Sequence, residues 1–150
     1  RSTLFPYTTL FRSPYSAIAM QPVLRPHSEA AAFALFGLAV AVLSGLIVEG
    51  IALQAGMPGL RRPAHFMNLL LSGVLFVAFY GALFRFSLIP RVLSGFGLIT
   101  AAILITGAIV PLLGYPTVML FFMPVGLSQL AIVVWLAIKG FDARPGVLAS

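Results

Sequence analysis

The sequence predicts an all-α, polytopic transmembrane helix bundle, and three observations predict it. Hydrophobic residues make up 61% of the 150 residues, and the mean hydropathy is +1.09. Charged residues make up only 8%, against about 25% in soluble globular domains, so they are too few to cover a soluble fold. These charges lie at the edges of long uncharged runs. Because lipid offers no partner to backbone polar groups, each run that crosses the membrane is expected to be a helix.

The first two spans are predicted from two uncharged runs of nineteen residues. One run lies between Glu29 and Glu49, and the other lies between His65 and Arg85. Each is close to the length of about 20 residues that a helix needs to cross about 30 Å of hydrocarbon. Apolar residues continue beyond Glu49, which lengthens the first span. The predicted spans cover residues 29–54 and 66–87.

The third and fourth spans share one apolar run. No charge occurs from Val92 to Ile138, and a single helix of that length would extend about 70 Å, more than twice the membrane thickness. The run must therefore turn once. The segment Gly114–Thr117, GYPT, supplies the turn, since Gly can end a helix, Pro can begin one and Tyr favours the interface. The predicted spans cover residues 92–113 and 117–139.

The basic residues predict the orientation of these four spans. When residues 1–13 are left aside, five basic residues fall on one side of the membrane, and only Arg61 and Arg62 fall on the other. The positive-inside rule then places both ends of the four-span unit in the cytoplasm. Pro90 can begin a helix, and Trp135 is a residue that favours the interface. The predicted membrane-interface anchors are Arg85, Arg91, Trp135 and Lys139.

A stripe of small residues runs along the first span. Gly37, Ala41 and Gly45 recur at every fourth position, and the stripe ends at Glu49. Small residues at this spacing let a neighbouring helix approach closely, so the stripe is predicted to be a helix-packing surface. Glu49 faces the same way. A carboxylate about one turn inside the membrane is a candidate functional group.

Two interpretations of Glu49 remain open. The first is a packing or hydrogen-bonding contact with Asn68, at comparable depth in an antiparallel neighbour, and with His65, Arg61 and Arg62 just outside. The second is a proton relay or transport path that includes Gln129, which lies near the middle of the fourth span and is expected to face the bundle. The candidate intramembrane polar site consists of Glu49, Asn68 and Gln129.

Other residues within the spans are given structural roles. Ser and Thr in membrane helices usually bond to their own backbone or to a neighbour, and Pro111 and Pro124 are expected to kink or end their helices. The polar residues concerned are Ser44, Ser72, Tyr80, Thr100, Thr106 and Ser128.

The inventory of reactive residues argues against enzyme chemistry. Apart from Glu49, the acidic residues and histidines lie outside the spans or at their rims, and no metalloprotease, hydrolase or phosphate-loop motif occurs. The chain has no Cys, which excludes disulfides and Cys-based metal sites. The basic residues are scattered along the chain, so the net charge of +6 does not indicate nucleic-acid binding. We predict no catalytic residue, cofactor or metal.

Three segments carry a resemblance to a known family. SLIPRVLSGFGLI, residues 87–99, and MPVGLSQLAIVVWLAIKGF, residues 123–141, resemble the conserved end of a bacterial multi-pass membrane protein family known only as a domain of unknown function. QPVLRPHSEAA, residues 21–31, is similar to the segment that enters an earlier helix of that family. The resemblance covers most of residues 17–142. It implies a multi-pass protein of the bacterial inner membrane.

The resemblance also implies about two further helices upstream, so the chain is expected to be a fragment of a six-helix bundle. Family members often carry an Arg and a Glu inside the helix that follows the QPVLR-like segment. The corresponding positions here, near Ala39 and Val42, are apolar, so Glu49 inherits no family role. The resemblance therefore implies an architecture and no mechanism.

The first thirteen residues, RSTLFPYTTLFRS, fit no part of this bundle. Their longest apolar run is two residues, whereas a signal peptide needs about 7 to 15, and Pro6 would interrupt a strand. Back-translated, the segment is similar to the end of a standard short-read sequencing adapter. We therefore interpret residues 1–13 as a translated adapter. Removing Arg1 and Arg12 lowers the net charge from +6 to +4.

The remaining chain is expected to hold one domain that acts by packing. The favoured hypothesis is a non-enzymatic integral membrane protein whose partners are the lipid bilayer, its upstream helices or a second copy in a homo-oligomer. The alternative is a small transporter or channel that uses the candidate polar site. The predicted regions are a juxtamembrane segment at 14–28 that ends an upstream helix, a four-helix domain at 29–141 and a cytoplasmic tail at 142–150.

Overall fold

Helices account for nearly all of the structure. The computed structural model describes residues 21–116 and 119–139, of which 85% are helical and none is in a strand, so the all-α prediction is confirmed. The predictions for residues 1–13, Thr117 and the tail at 142–150 lie outside the described residues. The elements are α1 (Gln21–Leu24), α2 (Glu29–Gln54), α3 (Pro58–Arg85), α4 (Arg91–Leu112), a 3-10 helix (Met119–Phe121) and α5 (Met123–Lys139).

The helices α2, α3 and α4 are long and apolar enough to cross a membrane. The structure divides into two units within α3, between Leu75 and Phe76. The first unit holds α1, α2 and the beginning of α3, and the second holds the end of α3 and the elements that follow. Each unit has its own buried apolar residues. They include Leu35, Ala39, Val42 and Leu75 in the first unit and Tyr80, Leu83, Leu104 and Ile132 in the second.

The bounds of α2 and α4 agree with the sequence prediction to within one residue. Ser28 caps α2, because its side-chain oxygen accepts a hydrogen bond from the N–H of Ala31 at 3.2 Å. In contrast, α3 begins at Pro58 instead of residue 66. Proline suits a first helical position, and the exposed Arg61 and Arg62 do not end a helix even though they end an uncharged run.

The helix α5 begins at Met123 instead of residue 117. Pro124 is its second residue, where the missing N–H costs no helical hydrogen bond, so Pro124 helps to begin a helix and the prediction that it kinks or ends one is wrong. Pro111 lies in the last turn of α4. Since α5 has 17 residues, it is about 26 Å long, shorter than the hydrocarbon core of about 30 Å.

Within the second unit, α5 packs against α4. Before α5 begins, Phe121 already lies beside Gly107, where a Cβ atom on the glycine would be 2.6 Å from the Phe121 Cβ. At the other end, Leu93 of α4 and Lys139 of α5 line the same groove. The segment from Phe121 to Lys139 therefore runs along most of α4.

The three long helices end in the same way. In α2 and α4 the chain leaves the helix through Gly56, with φ of 64°, and Gly114, with φ of 91°. In α3 the corresponding residue is Ser87, with φ of 53°, and the N–H of Leu88 donates to the carbonyl of Leu83 at 3.2 Å. This is the Schellman arrangement, in which backbone N–H groups just beyond the helix donate hydrogen bonds to carbonyls of its last turn. It reverses the chain within a few residues.

Candidate functional site

A buried carboxylate in the first unit is bonded to a histidine. The Nδ1 of His65, on α3, lies 2.7 Å from Oε1 of Glu49, on α2. An ionised Glu49 accepts this hydrogen bond from Nδ1–H, whereas a protonated Glu49 donates its O–H to an unprotonated Nδ1. The Glu49 side chain is 9% exposed and the His65 side chain is 40% exposed. His65 therefore lies between the carboxylate and the surface.

Asn68 lies one turn further along α3, against Gly45 of α2. A Cβ atom on Gly45 would be 2.6 Å from the Asn68 Oδ1, so only a residue without a side chain leaves room for the amide at this position. Asn68 is 2% exposed. The close approach of the two helices at Gly45 thus places the amide in the same helix pair as Glu49.

Three oxygen atoms in this helix pair are buried and have no hydrogen-bond partner among the described residues. They are Oε2 of Glu49, Oδ1 of Asn68 and Oγ of Ser72. His65, Asn68 and Ser72 are spaced by three and four residues, so they lie on one face of α3. We call Glu49, His65, Asn68 and Ser72 the polar seam. For Ser72, the expected bond to the backbone or a neighbour is absent.

The rest of the small-residue stripe differs from Gly45. Gly37 is exposed, and no described atom lies within 4 Å of the place that its Cβ would take, while Ala41 is half-buried. The fully buried positions of α2 are instead Ala39 and Val42. The described residues therefore cover only the Glu49 end of the stripe.

The second unit contains a different polar group, the hydroxyl cluster of Tyr80, Thr100 and Ser128, each at most 1% exposed. The Ser128 Oγ lies 3.2 Å from the Tyr80 Oη and 3.0 Å from the Thr100 Oγ1. The Ser128 hydroxyl donates to the Val125 carbonyl at 2.9 Å, and the Thr100 hydroxyl lies 2.9 Å from the Gly97 carbonyl oxygen. Every oxygen in the cluster has a partner.

The ring of Tyr80 is seated on Gly97. Carbon atoms of the ring occupy the place that a Cβ on this glycine would take, so α4 offers a notch where an aromatic side chain from α3 can lie flush against its backbone.

Outside the cluster, Ser44 and Thr106 each donate to the carbonyl one turn earlier, at 2.9 and 3.0 Å. This is the backbone bonding expected of hydroxyl groups in membrane helices.

Gln129 follows Ser128 on α5 and is half-buried. It belongs to the second unit, whereas Glu49 and Asn68 belong to the first. The structure thus brings two of the three predicted site residues into one helix pair, and the path through all three stays a prediction.

The four predicted interface residues lie at helix ends. Arg85 is the last residue of α3 and Arg91 the first of α4, where its guanidinium carbon is 6.0 Å from the centre of the Phe84 ring. The ammonium of Lys139 is 4.6 Å from the ring centre of Trp135, within the range of a cation–π interaction. The second unit therefore carries a cation and an aromatic ring together at the end of α5.

The comparisons with known proteins found no relative of the chain. No protein-family model, curated protein or solved structure matches the chain, so the resemblance to the bacterial membrane family stays a prediction. Within residues 21–116 and 119–139, no group of three or more His, Asp or Glu side chains is placed to hold a metal ion. The chemistry that the polar seam can perform is hydrogen bonding and proton exchange between the Glu49 carboxylate and the His65 imidazole.

Proposed function

We propose that the chain is a non-enzymatic, multi-pass protein of the bacterial inner membrane that acts by packing its helices against partner helices. The observation that carries the proposal is the surface of α2. This helix is apolar on all sides, yet only 22% of its most apolar window is buried. A helix of this kind requires lipid or protein around it. Large apolar side chains are exposed along it, among them Phe33, Ile47 and Ile51.

The open end of the small-residue stripe supports the packing role. Gly37 has free space above it and Ala41 is half-buried, so a partner helix could approach the backbone there as α3 does at Gly45. Small residues are the usual contact surface between membrane helices. The proposed partner is a second copy of the chain.

Four spans, with both ends in the cytoplasm, are part of the proposal. The helix α5 is short, but the segment from Phe121 to Lys139 runs along most of α4, which is long enough to cross the membrane. The distribution of Lys and Arg supports the orientation. The turns at Gly56 and Gly114 would then face the periplasm, and the turn at Ser87 would face the cytoplasm.

Labelling of single cysteines tests this topology, and the absence of native Cys makes the background clean. We expect a membrane-impermeant maleimide, added to intact spheroplasts, to label Gly56→Cys and Gly114→Cys but not Ser87→Cys or Ser150→Cys. Labelling of Ser150→Cys together with Gly114→Cys would show that α5 does not cross the membrane. If alkaline carbonate released all of the protein from the membranes, integral membrane insertion would be contradicted.

The packing role is tested at Gly37. Energy transfer between two labelled copies in vesicles reports self-association. We expect Gly37→Leu to abolish this association, because the larger side chain fills the open notch. Gly50→Leu is the matched control, since Gly50 is also exposed on α2 with free space around it. Equal association of both variants and the unaltered chain would refute packing at the stripe.

A second candidate function, proton-coupled transport, is favoured by one specific observation. The Glu49 carboxylate is buried, one oxygen is bonded to the half-exposed His65 and the other has no partner within residues 21–116 and 119–139. A proton could pass between the surface and the helix pair through these two groups. We would then expect Glu49→Gln to abolish proton flux into proteoliposomes, while Glu29→Gln, which alters an exposed carboxylate, would leave it unchanged. Equal flux in both variants would refute the relay.

A further inference from the structure

An apolar groove runs between α4 and α5 in the second unit. Its volume is about 530 Å³, and its lining includes Leu93 on α4 and Leu127, Leu130, Val134, Trp135 and Lys139 on α5. The α5 residues span about 18 Å along the helix, which is close to the depth of one leaflet, about half of the 30 Å hydrocarbon core. The groove therefore has the length and polarity of an extended acyl chain.

One end of the groove is basic. Lys139 is exposed at the end of α5, and Leu93, which lines the groove beside it, is only two residues from Arg91 at the start of α4. Both cations thus belong to the same end of the helix pair. A ligand that fits this groove would carry a negative charge at one end and a hydrocarbon chain along the rest.

The lining distinguishes this ligand from a helix. Surfaces that receive membrane helices are rich in Gly, Ala and Ser, because these residues let two backbones approach. The groove is lined mainly by Leu, Ile and Val, with Ala131 as the one small residue. This lining lacks the small-residue surface that lets two backbones approach closely, and a thin, flexible chain can fill it.

We propose that this groove binds one anionic phospholipid of the cytoplasmic leaflet, with an acyl chain along Leu127 to Val134 and the headgroup phosphate at Lys139. The inference rests on the proposed membrane topology, which places the end of α5 at the cytoplasmic surface. That surface is rich in anionic lipid, and each lysine near it contributes to lipid attraction. Neither the packing role nor the polar seam requires this site.

Fluorescence of Trp135, the single Trp of the chain, tests the proposal because the residue lines the groove. The full chain is reconstituted in vesicles that contain equal amounts of phosphatidylglycerol and phosphatidylcholine, with bromine on the acyl chains of one lipid or of the other. Surface charge is the same in both preparations, so a difference in quenching reports which lipid occupies the groove. We expect about a fivefold preference for phosphatidylglycerol, the ratio typical of one lysine at a membrane surface.

Variants of single cations test which residue causes the preference for phosphatidylglycerol. Lys139→Gln should reduce it to about one, Lys139→Arg should retain it, and Arg62→Gln, a matched change of an exposed cation in the first unit, should leave it unchanged. Equal quenching by the two brominated lipids in the unaltered chain would overturn the anionic site and leave membrane insertion intact. Absence of quenching by either lipid would overturn both the site and the proposed placement of α5 in the membrane.

Discussion

Two groups of polar side chains, one in each unit of the molecule, differ in how far their hydrogen bonds are satisfied. In the second unit, the hydroxyl cluster of Tyr80, Thr100 and Ser128 forms a closed set of hydrogen bonds. In the first unit, the polar seam leaves an oxygen of Glu49, one of Asn68 and one of Ser72 without a partner among the described residues. Every member of the two groups except His65 is nearly inaccessible to solvent.

This difference predicts a structural role for the hydroxyl cluster and a functional role for the polar seam. A closed cluster of neutral hydroxyls fixes three helix segments in one register, and it offers nothing to a ligand. An unpaired buried oxygen costs about 1–3 kcal/mol, so the polar seam destabilises the first unit unless a proton, a ligand or a partner helix satisfies it. We therefore expect substitutions in the hydroxyl cluster to change stability alone, and substitutions in the polar seam to change also what the protein binds or transports.

The largest effect is expected at Gly97. A methyl group there would overlap the buried ring of Tyr80, and overpacking of this kind costs about 1–3 kcal/mol. Gly97→Ala should therefore lower the free energy of unfolding, measured by titration with dodecyl sulfate in mixed micelles. The control is Gly95→Ala, where the Cβ meets no atom within 4 Å and the helix should gain stability. Equal stability of the two variants would contradict the seating of Tyr80 on α4.

A smaller loss is expected at His65. His65→Ala removes the only described partner of the buried Glu49 carboxylate, and a hydrogen bond to a charged group contributes about 1.5–3 kcal/mol. Because His65 is half-exposed, we expect the loss of stability to lie near the lower of these two values. Glu49→Gln in the same background should restore part of the lost stability, because a neutral amide is less costly to bury. If the double variant were less stable than His65→Ala alone, the bond would not be the source of the effect.

Matched serine substitutions test the comparison most directly. Ser128→Ala leaves the Tyr80 hydroxyl without its partner and should cost about 1 kcal/mol, since hydrogen bonds within membrane helices average somewhat less than this value. Ser72→Ala removes an oxygen that has no partner, so it should leave the free energy of unfolding unchanged or raise it. Parallel dodecyl sulfate titrations of both variants measure the difference. A larger loss from Ser72→Ala than from Ser128→Ala would reverse the assignment of the two units.

The smallest effect is expected at the end of α3. Ser87 adopts φ of 53°, a conformation that glycine reaches without strain, so Ser87→Gly should raise the free energy of unfolding by up to about 1 kcal/mol. Gly114→Ser, the reverse change at the end of α4, should lower it by a similar amount. A loss of stability in Ser87→Gly would show that the Ser87 side chain stabilises the turn.

Sequence reasoning located the helices where charge and length are informative. The bounds of α2 follow from Glu29 and from the apolar residues beyond Glu49, and the depth match between Glu49 and Asn68 follows from antiparallel counting. The start of α3 could not be found in this way, because Arg61 and Arg62 interrupt an apolar run without interrupting a helix. The start of α5 depends on Pro124, whose effect reverses between the first turn of a helix and its interior.

The sites were predicted unevenly for a related reason. A carboxylate in an apolar run is conspicuous, so the sequence singles out Glu49, but it does not single out the hydroxyl cluster, because Ser, Thr and Tyr are common in membrane helices. A usable signal existed, since Tyr80, Thr100 and Ser128 all lie near the middle of successive predicted spans. The face of α2 that is buried was also missed, because small size marks where a helix can approach and not where one does.

The connection between α2 and α3 consists of Ala55, Gly56 and Met57. A link of three residues, reversed at Gly56, keeps the joined ends of the two helices close together. We expect them to enter the bilayer as a hairpin, so that the imidazole of His65 accompanies the carboxylate of Glu49 from the start. Biogenesis would then never present an isolated negative charge to hydrocarbon, and the turn at Gly56 would matter more to assembly than to the finished protein.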